Sequence, residues 1–177
     1  ACLLLLLGRE EAYSMAHVNR DALVDKLCER LAVETGGVDI YQAAIRKLAD
    51  PTVVRRLEHF MHEEAAHRDL LAAHLDKLGV ADRETPSARL ARHEGEAYLK
   101  LLGEAETPAQ VLNLLLTVEL MDESAWEMLV DLGRDADDDE LVQAFDGALA
   151  DEKEHLRGVR GMLAQMNREL FLAGVAL

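Results

Sequence analysis

The sequence predicts an all-α protein, a four-helix bundle with a long crossover connection that contains an extra helix. Three observations predict it. Half of the 177 residues are apolar but only 4% are aromatic, and Pro occurs only three times. Ala and Leu dominate, which favours helices over strands. Apolar residues recur in alternating steps of three and four along four long stretches, the pattern of helices with one buried face. Helix-start signals at Asp50-Pro51, Thr85-Pro86 and Thr107-Pro108 fall where that rhythm breaks.

The length suits one domain able to bury its own core. The chain divides into an N-terminal segment (1–19), the bundle (20–167) and an apolar tail (168–177) that caps the bundle or docks on a partner. Leu3 to Leu7 fall far short of the ~20 apolar residues that span a bilayer. They also lack the basic flank and cleavage site of a secretory signal. Met15-Ala16-His17 reads as an ordinary protein start, so residues 1–14 stand outside the fold argument.

The first helix is expected over residues 20–49. Leu27, Leu31, Val38, Tyr41, Ile45 and Leu48 form its apolar stripe, and Glu34 fills the one gap in it. Gly36-Gly37, one turn on, weakens the helix, either for close packing against a neighbour, the favoured account, or for local flexibility beside the site. The second helix begins with Asp50 as cap and Pro51 in its first turn, and runs to Gly79. Its stripe is Leu57, Phe60, Glu64, His67, Leu71, His74 and Leu78. The connection from Gly79 to Glu106 is long for a hairpin, and Thr85-Pro86 starts a further helix within it, to about Leu102. A connector of this length lets the next long helix run parallel to the previous one. Thr107-Pro108-Ala109-Gln110 is a capping box that opens the third bundle helix, with Gly133 closing it. Its inward face is Leu112, Leu115, Glu119, Trp126 and Val130. Asp135, Asp137, Asp138 and Asp139 lack the Gly and the closing Glu of a calcium loop, and read as acids ahead of a helix N-terminus. The fourth helix, 139–167, carries Leu141, Phe145, Ala148, Glu152, His155, Val159, Met162 and Met166 on one stripe.

Four glutamates and two of the histidines on these stripes form a pattern. Glu64-Ala65-Ala66-His67 and Glu152-Lys153-Glu154-His155 are both Glu-x-x-His, and each follows a helix with a lone Glu in its stripe, Glu34 and Glu119. The chain thus holds two helix pairs of the same design, and that repeat says more than either motif alone. Residues three apart share a helix face, so each Glu and His can reach one ion together. An unpaired buried charge costs roughly several kcal/mol. Two divalent cations balance the four carboxylates. Oxygen-rich ligation with one imidazole per ion suits iron(II) or manganese(II) better than zinc or copper. The plainer alternative is a set of salt-bridged core polar groups.

With these residues in place, the chain resembles the ferritin-like di-iron carboxylate superfamily, which includes rubrerythrins and bacterioferritins, over residues 20–167. The resemblance implies that Glu64 and His67 serve one metal and Glu152 and His155 the other. Glu34 and Glu119 complete the shell, with two of the four Glu bridging. Ala65 stands where bacterioferritins carry a haem-ligating Met, so no haem is expected. No Cys follows Cys28, so a rubredoxin domain of the rubrerythrin kind is not expected within this sequence. Asp122, beside Glu123, occupies the place of an additional rubrerythrin carboxylate, either as a further ligand or paired with a nearby cation. Tyr41 reads as a core residue or a hydrogen bonder to the site. Asp151 and Asp122 are candidates to orient the outer His nitrogens. His74 reads as a bundle-end residue, and His17, His59, His62 and His93 as surface.

The activity implied is that of a ferroxidase- or peroxidase-type oxidoreductase. It would use two iron ions, or manganese, on dioxygen or hydrogen peroxide, with an unidentified electron donor, in a homodimer or larger homo-oligomer. Two other readings stay open: iron storage or detoxification within a larger shell, and a metal-free helical interaction module. The net charge of −15 argues against nucleic acid and anionic membranes. Two Cys, Cys2 and Cys28, are too few for a disulfide framework and suggest a reduced cytoplasmic setting.

Overall fold

The computed structural model describes residues 19–173. The N-terminal leucines, the Met15 start, Cys2, His17 and the last four residues of the tail lie outside the described residues. Within them the chain is all-helical, with no strand: α1 (Arg20–Ile45), α2 (Pro51–Lys77), α3 (Pro86–Glu104), α4 (Pro108–Asp135) and α5 (Asp139–Ala173). No described helix is long and apolar enough to cross a membrane.

The helix starts follow their caps. Asp50 accepts from the Thr52 and Val53 amides, Thr85 accepts from Ala88, and Thr107 and Gln110 form a reciprocal capping box. Asn19 does the same for α1. The acids before α5 act as a cap too: the Asp138 carboxylate accepts from the Leu141 amide at 2.9 Å.

Three boundaries differ from expectation. α1 stops at Ile45, because the Lys47 and Leu48 amides turn back to the Ala44 and Ile45 carbonyls as the chain prepares to cap α2. Gly133 lies inside α4 rather than closing it. A Cβ there would sit 2.7 Å from Leu141 Cδ2, so this glycine lets α5 approach. α5 runs on past Asn167 to Ala173 and leaves Leu170, Phe171 and Leu172 exposed.

Two apolar clusters set the direction of each helix. One gathers Leu27 and Cys28 of α1, Leu71 and Leu75 of α2, Ala88 and Ala91 of α3, Trp126 and Leu129 of α4, and Leu141 and Phe145 of α5. The other gathers Ile40 and Tyr41, Leu57 and Phe60, Leu102, Val111 and Leu112, and Val159 and Leu163 from the same five helices. α1, α3 and α5 therefore run from the first cluster to the second, and α2 and α4 run back. α3 returns the chain along α1, so α4 starts where α2 started. α1 packs on α2 and α4 on α5, and the two pairs meet through α1–α4 and α2–α5.

Close contact fixes the pairing of α2 with α5. A Cβ on Gly158 would lie 2.6 Å from Cζ of the buried Phe60 and 3.0 Å from Arg56 Nη2, whereas Gly161 has open space around it. Gly158→Ala should therefore lower the unfolding free energy by about 1–3 kcal/mol. Gly161→Ala should raise it by about 0.5–1 kcal/mol through helix propensity. Urea melts of the two variants check this; equal effects would contradict the contact.

Candidate metal centre

Between the two apolar clusters lies a layer of buried polar side chains: Arg30, Glu34, Glu64, His67, Glu119, Asp122, Glu152 and His155. All six candidate ligands are among them. They come together because each sits on the inward stripe of its helix at the same height. On α1 that stripe is Leu27, Arg30, Glu34, Gly37, Tyr41 and Ala44. The apolar positions Leu31, Val38, Ile45 and Leu48 flank it and are only partly buried. The stripe differs from the expected one because a charged residue and a glycine hold two of its inward positions.

The six residues fall into two groups, and ligand atoms within each lie no more than 4.8 Å apart. One is Glu34, Glu64, His67 and Glu152; the other is Glu64, Glu119, Glu152 and His155. Glu64 and Glu152 belong to both. His67 Nδ1 is 2.8 Å from Glu152 Oε1 and 3.8 Å from Glu34 Oε2. His155 Nδ1 is 3.3 Å from Glu64 Oε1, 3.4 Å from Glu152 Oε2 and 3.7 Å from Glu119 Oε2. Each group could hold a metal ion, with Glu64 and Glu152 spanning the two positions.

The outward atoms of these residues are held by neighbours in a near-symmetric arrangement. His67 Nε2 meets Asp151 at 3.3 Å, and His155 Nε2 meets Glu63 at 2.9 Å. Asp151 and Glu63 are the residues immediately before Glu152 and Glu64, so each motif's leading acid orients the imidazole of the other motif. Trp126 Nε1 donates to Glu34 Oε1 at 2.8 Å, and the Tyr41 hydroxyl donates to Glu119 Oε1 at 2.7 Å. Each aromatic donor stands two turns beyond the lone Glu of its own helix and serves the other helix's Glu. Gly37 has a role here as well: a Cβ would come within 2.9 Å of Glu64 Oε2.

The inward atoms lack such partners. Glu34 Oε2, Glu119 Oε2, both oxygens of Glu64 and Glu152, and Nδ1 of His67 and His155 are buried without a hydrogen bond of acceptable geometry. Buried polar atoms are nearly always satisfied. Here the unsatisfied ones are concentrated on the atoms that face the shared centre, and four are available to each position. The donor set, carboxylate oxygens with one imidazole nitrogen per position, fits divalent cations that prefer oxygen.

Charge points the same way. The layer buries five carboxylates and one guanidinium, which leaves four negative charges if both imidazoles are neutral. Arg30 bonds to both Glu34 and Asp122. Asp122 is therefore paired with a cation and does not orient a ligand histidine; Glu63 does that for His155. Without cations the layer takes up protons instead. Burial, with repulsion from Glu152 and other acids, pushes the Glu64 and Glu119 carboxyls well above the usual range. Burial also opposes ionisation of Glu152, but the two flanking imidazoles outweigh it and bring that group down to about 2. His155 resists charging through burial, yet Glu152, Glu119 and Glu63 raise it to about 9; His67 is raised in the same way.

Compared with protein-family models, with curated proteins and with solved structures, the chain gives no match in any of the three. The site therefore stands on its own geometry. Sequence spacing places the six ligand candidates and singles out Tyr41 and Asp151. It misses Arg30, Glu63 and the polar use of Trp126. Arg30 and Trp126 sit in step with the stripes that hold Glu34 and Glu119. An acid directly before each Glu-x-x-His is a visible signal for Glu63.

The sign of the pH dependence follows. Groups raised in the folded, empty chain (Glu64, Glu119, His67, His155) stabilise it while protonated, and that stability is lost as pH rises towards about 9. Cations need these groups deprotonated, so the loaded chain should gain stability over the same range. Melting temperatures between pH 5.5 and 9, with and without manganese(II), should diverge as pH rises; parallel curves would contradict a cation-binding layer.

Proposed function

We propose that this chain is a di-metal carboxylate oxidoreductase of the ferritin-like kind, loading two iron(II) ions, with manganese(II) as the substitute, and acting on dioxygen or hydrogen peroxide. The observation that carries the reading is the set of eight inward-facing atoms that make no well-aimed hydrogen bond, divided between two groups that share Glu64 and Glu152. The imidazole nitrogens do lie within ion-pair distance of the glutamates, but two imidazoles do not balance the net four negative charges of the layer, and two divalent cations would.

Glu34, Glu64, Glu152 and His67 would hold one ion, and Glu119, Glu64, Glu152 and His155 the other. Two iron(II) ions held there would supply two electrons, enough with two protons from solvent to take hydrogen peroxide to water or dioxygen to hydrogen peroxide. The chain's own residues do the rest. Asp151 and Glu63 fix which imidazole nitrogen faces the centre. Trp126 and Tyr41 each hold one oxygen of Glu34 and Glu119, which directs the other inward. The Tyr41 hydroxyl keeps its proton, because burial and the Glu119 carboxylate push its pKa well above the usual value. The apolar clusters above and below exclude bulk water and strengthen every charge interaction between them. Helix order supports the kinship: α3 makes the crossover that brings α4 parallel to α2, as in ferritin-like bundles.

Anaerobic iron(II) titration of the chain should saturate at two ions, and addition of hydrogen peroxide should then consume it with an optical change. Glu152→Ala removes a residue shared by both groups and should abolish the second equivalent and at least about 90% of peroxide consumption, on the order of a lost metal contact. Glu58→Ala, on the exposed face of α2, should leave both unchanged. Saturation far from two, or equal losses in the two variants, would overturn the reading.

A further inference from the structure

The two donor groups match residue for residue, but their surroundings do not. Glu34 Oε1 receives a cationic donor, Arg30, together with Trp126. Glu119 Oε1 receives only the neutral Tyr41 hydroxyl. The repeat makes the asymmetry plain. Arg30 stands four residues before Glu34, and the equivalent position before Glu119 is the apolar Leu115. Asp122 stands three residues after Glu119, and the equivalent position after Glu34 is Gly37. One half of the repeat has no counterpart of Arg30, and the other has none of Asp122.

Resting on the di-metal reading above, we propose that the two cation positions are inequivalent. The Glu119/His155 position fills first. The Glu34/His67 position, beside the Arg30 guanidinium, holds its cation more weakly and exchanges it. Arg30 is 3% exposed and bonds directly to a ligand of that position, so its charge is little screened. A carboxylate already sharing its charge with a guanidinium donates less to a second cation. Asp122 offsets part of this, but its oxygens belong to neither donor group, and Arg30 rather than Asp122 bonds a ligand carboxylate directly. The Arg30–Asp122 pair thus acts as a positioning and affinity-setting device for one ion of the two. A pair with one tight and one exchangeable ion gives a site that can stay half loaded between turnovers.

The single Trp of the chain reports on the weaker position. Trp126 donates to Glu34 at 2.8 Å and its ring lies 5.5 Å from the His67 ring, whereas Tyr41 and Phe60 border His155. Cobalt(II) titration of the full chain, followed by calorimetry and by Trp126 emission, should show two successive equivalents whose dissociation constants differ by about tenfold. Emission should change mainly with the second. Replacing both members of the pair, Arg30→Met with Asp122→Leu, strands no charge, and should bring the two constants together. A circular dichroism melt establishes that this variant is folded, and the unaltered chain decides the matter if it is not. Two ions bound with equal affinity, or emission changing with the first, would overturn the inequivalence and leave the di-metal reading intact. No binding at all would overturn both.

Discussion

Four helices of this chain enclose more negative charge than the chain itself neutralises. Five carboxylates and one guanidinium share a layer from which water is excluded, and each uncompensated ion there costs roughly several kcal/mol. Folded without cations, the layer holds protons more tightly, and two of its glutamates and both of its imidazoles are pushed up. The remaining features follow from managing that excess. Outward atoms are tied to Asp151, Glu63, Trp126 and Tyr41, while the inward atoms converge unsatisfied. Apolar clusters on both sides hold the layer in place, and α3 allows the two halves to face each other.

The layer is built twice from one plan. A lone Glu with an aromatic donor two turns on, then an acid followed by Glu-x-x-His, occurs in α1–α2 and again in α4–α5. Each half completes the other: the aromatic donors, the orienting acids and the spanning carboxylates all cross from one half to the opposite side. Such reciprocity ties the geometry of either donor group to both helix pairs, so the layer is assembled only when the whole fold is. The departures from symmetry, Arg30 and Asp122 on one axis and Gly37 and Leu115 on the other, are local. They leave the donor atoms alike and change the field around one position.

Much of this is legible in the sequence because the physics acts locally. Caps at Asp50, Thr85 and Thr107 mark the helix starts. Alternating apolar spacing alone places Glu34, Glu64, His67, Glu119, Glu152 and His155 on buried faces. The misreadings have a common cause. Arg30 and Gly37 hold inward positions of α1, but an Arg is normally solvated and a Gly carries no apolar side chain, so the apolar rhythm points to Leu31 and Val38 instead. Gly133 reads locally as a helix stop, and only the approach of Leu141 shows that its missing Cβ is the point. Glu63 is not singled out by the sequence because its partner, His155, lies on another helix. Contacts between helices distant in sequence decide these cases, and local patterns such as the acid before each Glu-x-x-His gain a meaning only once those contacts are known.

Whether paired cations make this acidic interior tolerable is tested most directly by anomalous diffraction from crystals grown with manganese(II). Two peaks per chain are expected, one on either side of the Glu64 and Glu152 carboxylates, with His67 and His155 turned towards them. An ordered layer with no anomalous signal, its glutamates bonded to one another or to the imidazoles, would contradict it.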